Sequence, residues 1–232
     1  MQFFWDGLIG AAELLVEPDP LVLGAAWRSL WISTLAVCLA ATIGIPVGSL
    51  LAQKKFFGRW AVVVLFRAGM SLPTVLIGLL CYGAFSRRGP LGGFDLLYTP
   101  WAIMIGEFCL ALPIIVTWTH SAVSGLDPRV AETARTLGAG WLRRWRTSLS
   151  EARLAITLAL LTAFARCIAE LGIAMMVGGN IKHQTRTLTT ATALETARGE
   201  FDRGVAMSLI LLVLAVIVTI PIAWLGRQQQ ET

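Results

Sequence analysis

Asp127-Pro128-Arg129-Val130-Ala131-Glu132-Thr133-Ala134-Arg135-Thr136-Leu137-Gly138-Ala139-Gly140-Trp141-Leu142-Arg143-Arg144-Trp145-Arg146 is the link whose reading decides this chain. It gathers Arg129, Arg135, Arg143, Arg144 and Arg146, with Arg153 just beyond, between two charge-poor hydrophobic blocks. Arginines clustered between apolar blocks mark the side of a membrane, because Lys and Arg stay with the cytoplasmic links. Asp127 before Pro128 is a helix-start signal, with Asp as cap and Pro at the first helical position. Glu132 falls in the early turns, where a negative charge suits the helix dipole, and Gly138 supplies a stop. The pattern predicts a short exposed helix, a glycine turn, and a second, basic helix through Trp141, Arg143, Arg144 and Trp145. Ala134, Leu137 and Ala139 offer small apolar contacts between the charges, which is the composition of a docking peg.

Working outward, the 232 residues are 56% hydrophobic and 14% charged, against about 25% charged in a soluble domain. Such a chain has too few polar groups to cover its surface in water. Five segments are long enough to span hydrocarbon, at about 20 apolar residues each. They are Ser29 to Ala52, Trp60 to Ser86, Trp101 to Val123, Leu154 to Val177 and Gly204 to Gly226. Pro46, Pro73, Pro113 and Pro221 fall inside these segments and read as kinks rather than ends, which membrane helices tolerate. The expected fold class is an all-α integral membrane protein.

Lys54, Lys55 and Arg59 mark a second inside link, and the opening twenty residues carry Asp6, Glu13, Glu17 and Asp19 without Lys or Arg. An odd number of spans then places the amino end outside and the carboxyl end inside. The domain plan is an outer amphipathic segment over 1–22, with a short surface helix from Gln2 to Leu15, and one transmembrane domain over 23–226. A cytoplasmic tail follows over 227–232. The inner link covers about 127–147 and an outer loop about 178–203, where Lys182, Arg186, Arg198 and Arg203 are partly offset by Glu195, Glu200 and Asp202. Met1 to Gly10 has an acid where a secretory leader would be basic, so none is expected. Cys38, Cys81, Cys109 and Cys167 lie in apolar segments and read as buried small hydrophobes rather than disulfide or metal partners. His120 and His183 are solitary, so no metal site is expected. The formal charge of +5 reflects topology, and no nucleic-acid partner is expected.

Three charges interrupt the spans: Glu107, Arg166 and Glu170. Each must face protein or water, since an unpaired charge at mid-bilayer costs about 2.5–3.5 kcal/mol on insertion scales. Arg166 and Glu170, four apart, share a helix face, with Glu107 at a similar depth to Glu170. They read either as an ion-paired network that fixes packing or as an anion pathway. Gly178, Gly179 and Asn180 form a turn after the fourth span. Thr185, Thr187, Thr189 and Thr190 supply hydroxyls beside Arg186 and Lys182. That stretch is a candidate outer mouth, a docking face for a carrier, or a solvated loop.

Glu132, Ala134 and Gly138 match the spacing of the coupling-loop motif of ATP-binding-cassette importer permeases, Glu-Ala-Ala, three residues, then Gly, with Thr133 for the first Ala. Phe164-Ala165-Arg166-Cys167-Ile168-Ala169-Glu170-Leu171-Gly172 resembles the Arg-x-x-x-Glu-Phe-Gly helix of molybdate, sulfate and tungstate permeases, with Leu171 for Phe. Met175 to Ile181, Gln184 to Thr190, Leu194-Glu195-Thr196, Leu72-Pro73 with Gly78, and Gly89-Pro90-Leu91-Gly92 through Leu97-Tyr98-Thr99-Pro100 are similar to the tungstate type. The resemblance runs from about Leu21 to Gly226. It implies a five-span, type I importer permease that forms a homodimer and binds two cytoplasmic ATPase subunits. It also implies an oxyanion cargo, tungstate before molybdate or sulfate, received from an extracytoplasmic binding protein. The ATPase-coupling residues would be Glu132, Thr133, Ala134, Arg135, Leu137, Gly138 and Ala139. The chain has no Gly-x-x-x-x-Gly-Lys-Ser/Thr phosphate loop, so no cofactor of its own is expected and ATP-Mg would sit on the partner subunit. Two rivals remain: an ion-coupled carrier using Glu107 and Glu170, and a membrane scaffold that transports nothing.

Overall fold

The computed structural model describes residues 20–230, all of whose regular structure is helical. The surface helix expected over 2–15 lies outside the described residues. Helix α1 runs from Pro20 to Gln53, α2 from Arg59 to Gly69, α3 from Thr74 to Phe85 and α4 from Pro100 to Ser124. The inner link holds α5, Pro128–Thr136, and α6, Trp141–Glu151; then come α7, Arg153–Ile168, α8, Leu188–Ala197, and α9, Phe201–Gln230.

All five apolar segments are helical, but two are broken. Helices α1 and α4 are each long and apolar enough to cross a bilayer, and α2 with α3 qualifies only as a pair bent by 101°. Pro73 is therefore an end, not a kink. Its ring lacks an N–H, it pushes Leu72 out of helical geometry, and its own carbonyl starts α3 by accepting from Leu76 and Ile77. Pro46 and Pro113 do lie inside α1 and α4. The fourth segment stops at Ile168 and resumes as a wide turn over Ala174–Gly178. Helix α1 starts nine residues before the expected Ser29 and takes in Arg28.

The core sits where α1 lies along α4. A side-chain carbon on Gly44 would come within 2.9 Å of Ile115, and one on Gly48 within 2.6 Å of the Val116 carbonyl. Small residues allow this approach, and dispersion supplies the attraction that hydrophobicity cannot supply within lipid. Ile32, Ala36, Ala40, Ile103, Leu110 and Ile115 fill the seam. On the outside, Leu23, Trp27, Leu35, Leu39 and Ile43 of α1 are exposed, the apolar coat of a lipid-facing helix. Cys81 and Cys167 are buried as expected; Cys38 and Cys109 instead face outward, where a thiol is apolar enough for hydrocarbon.

Candidate functional site

The basic link builds its first helix from local rules. The Asp127 carboxylate accepts from the Arg129 N–H at 2.8 Å, and Pro128 opens α5. At the far end the Ala139 N–H reaches the Ala134 carbonyl and the Gly138 N–H the Arg135 carbonyl, both at 2.9 Å. This reciprocal pair is a Schellman stop, which needs a left-handed residue. Gly138 provides it at φ 72°. A cavity of about 500 Å³ between α5 and α6 is lined by Thr133, Ala134, Leu137 and Ala139 with Arg143 and Glu151. Glu132 is exposed outside it, Arg135 faces another cavity, and Leu137 stands 78% exposed at the tip.

Ser49, which sequence reasoning passed over, and Lys54, read there only as a mark of topology, moor this peg. The Trp145 indole N–H donates to Ser49 Oγ of α1 at 2.8 Å, and Lys54 Nζ lies 5.6 Å from the Trp141 ring centre. The hint in the chain is a pair of tryptophans in a basic helix; Ser49, 96 residues before Trp145, is invisible to local patterns.

Within the membrane, Arg166 Nη1 and Glu170 Oε2 pair at 3.2 Å. The pair is four residues apart, as the spacing anticipates, but α7 ends at Ile168 and Glu170 lies two residues beyond it. Glu170 instead begins the next turn, its Oε1 accepting from the Ile173 N–H at 3.1 Å. Glu107 is buried nearby, with the Cys167 thiol 3.6 Å from its carbonyl. Among the described residues its Oε2 and the buried Ser33 Oγ make no hydrogen bond within 3.5 Å. The Arg166 side chain is 47% exposed. It shares its exposed face with Thr162 and Ala169, small and polar where α1 shows leucine and tryptophan.

In the loop after the fourth segment the threonines turn inward, while Lys182, His183 and Gln184 stay exposed. Thr185, Thr187, Thr189 and Thr190 are all buried. Thr185 Oγ donates to the Gly178 carbonyl at 2.6 Å, and Thr189 Oγ to the Glu170 carbonyl at 2.8 Å. Thr187 and Thr190 form the reciprocal cap of α8. A buried hydroxyl must find an acceptor, and these loop hydroxyls close the loop onto the bundle. Gly178 fits against Ile103 and Gly179 against Tyr98, where any side chain would collide. Asn180, at φ 50°, accepts from Arg186 Nε at 3.1 Å, and the Arg186 carbonyl accepts from Arg28 Nε at 2.7 Å. Arg28 was missed because the apolar run begins one residue after it.

The model of the binding-protein-dependent transport system inner membrane component family matches residues 44–230. The chain belongs to that family. It is thus an inner-membrane component of a transport system, a permease rather than a catalytic chain. Among curated relatives it is 36% identical to the tungstate uptake system permease protein TupB of Campylobacter jejuni, over 93% of this chain and 90% of that one. It is 29% identical to the molybdenum transport system permease protein ModB of Escherichia coli, over 89% and 94%. In fold it superposes on a chain of the MetNI methionine ABC transporter in an inward-facing conformation, with a TM-score of 0.72 at 19% identity. That match covers 90% of this permease and 95% of the other.

Proposed function

We propose that this permease carries an oxyanion into the cytoplasm, tungstate first and molybdate or sulfate after it. Two copies would form the pathway, two separate ATPase subunits would bind ATP-Mg and drive it, and an extracytoplasmic binding protein would deliver the anion. The observation that carries this reading is the half-exposed Arg166 on the small, polar face of α7. A guanidinium at mid-membrane depth needs water or protein against it, and a second copy related by a twofold axis supplies both a wall and a pathway. The ranking of anions rests on the relatives, 36% identity to the tungstate permease against 29% to the molybdenum one.

The α5 peg is the proposed ATPase contact, with its groove through Thr133, Ala134, Leu137 and Ala139 and with Glu132, Arg135 and Gly138 around it. A short helix closed by a Schellman stop moves as a rigid body, so closure of the ATPases would tilt the spans and open the outer side. The inner link and carboxyl end would be cytoplasmic, the amino end outside. The buried threonines hold the outer loop's shape, and Asn180 and Arg186 at its surface are the proposed contacts for the binding protein. Uptake of radiolabelled tungstate into proteoliposomes should require the ATPase, ATP and the loaded binding protein together. Uptake driven by a proton gradient without the ATPase would reject the proposal.

A further inference from the structure

A second cavity opens on the other side of α5, about 360 Å³ between the end of α1, the end of α4 and the two link helices. That volume lies within the range of small-ligand pockets. Its walls bring together Lys54 from just beyond α1, Arg135 from the last turn of α5 and Arg144 from the first turn of α6. Gln53 and Ser148 add polar groups, and Trp141 closes one side. Among the described residues, no ion pair engages Lys54, Arg135 or Arg144. The one carboxylate in the wall, Asp127, caps α5 through Oδ1 and offsets one of the three positive charges, leaving the wall net positive. The mooring of Trp145 to Ser49 and of Lys54 over Trp141 holds these cations in place. Like charges converging from three elements repel one another, and a bound anion would reverse the sign of that interaction.

We infer that this cavity binds a tetrahedral phosphate-like oxyanion, either the phosphate of an acidic phospholipid headgroup or a free oxyanion. Two arginines and a lysine offer forked and single charged donors to such oxygens. Val123 and Leu126, at and just after the end of α4, add apolar wall beside the cations, the combination with which basic pockets take lipid headgroups. Placing it in the inner leaflet rests on the proposed orientation, whereas the chemistry of the cavity does not.

The test uses the full chain in nanodiscs of phosphatidylcholine, with or without phosphatidylglycerol. Native mass spectrometry reads retained phosphatidylglycerol, and equilibrium dialysis reads tungstate and inorganic phosphate in the phosphatidylcholine discs. The double variant Lys54→Gln/Arg144→Gln should weaken retention roughly ten-fold or more, as expected for lost charged hydrogen bonds. The charge-matched control Lys55→Gln/Arg146→Gln, outside the cavity, should leave retention unchanged. Selective loss of phosphatidylglycerol identifies a lipid, and selective loss of tungstate or phosphate identifies a free anion. Equal loss in both double variants would mean a diffuse basic surface, and retention of neither class would mean no site; either overturns the inference. Labelling of Arg143→Cys, outside this cavity, from the exterior of cells would instead reject the orientation while leaving the cavity's binding intact.

Discussion

At the scale of single residues, two positions carry strain or charge that their neighbours explain. Gly138 has open space around the position of a side chain, so its φ of 72° alone demands glycine. Gly138→Ala should therefore cost about 1 kcal/mol, with Gly138→Asn milder because Asn tolerates the left-handed region. Thermal midpoints of the detergent-solubilised chain would rank them Gly, Asn, Ala; an Ala variant as stable as the parent would show that the turn relaxes. Glu170 holds both Arg166 and the Ile173 N–H. Glu170→Gln keeps an acceptor for that N–H and loses the ion pair, whereas Glu170→Ala loses both. Unfolding measurements should find Ala worse than Gln by about 1 kcal/mol, the worth of a helix cap. Equal losses would mean that the turn does not need the cap.

Helices meet through contacts that local patterning does not reveal. Gly48 lets α1 touch the backbone of α4, so Gly48→Ala should overpack that seam and cost about 1–3 kcal/mol. A lowered thermal midpoint, without loss of helical circular dichroism in the membrane, is the expected record. The next residue, Ser49, takes the indole proton of Trp145. Under the proposed coupling, movement of α6 would reach α1 beside the tight Gly48 contact with α4. Trp145→Phe keeps the ring and loses the donor, and Ser49→Ala loses the acceptor. A double-mutant cycle should give a coupling of about 0.5–1.5 kcal/mol. In the assembled transporter, either variant should lower uptake per ATP hydrolysed. Additive effects of the two substitutions would show that the contact transmits nothing.

For the whole molecule, the contrast between the apolar coat of α1 and the small polar face of α7 separates lipid from pathway. In a background lacking native cysteines, Thr162→Cys should react with a membrane-impermeant thiol reagent or cross-link to its copy, whereas Leu39→Cys should do neither. Equal silence at both positions would place α7 in lipid and remove the basis for a two-copy pathway. The sequence determined the membrane setting, the five helical segments, the short capped helix of the basic link and its glycine stop. Each follows from hydropathy over about 20 residues or from capping rules within a few residues. Only tertiary structure decided that Pro73 ends a helix, that Glu170 meets Arg166 across a helix break, and that the loop threonines face inward. It alone also brought Trp145 to Ser49 and gathered Lys54, Arg135 and Arg144 around one cavity. Those outcomes depend on which distant backbone approaches closely enough to accept a hydrogen bond or exclude a side chain, and neither hydropathy nor spacing encodes that distance.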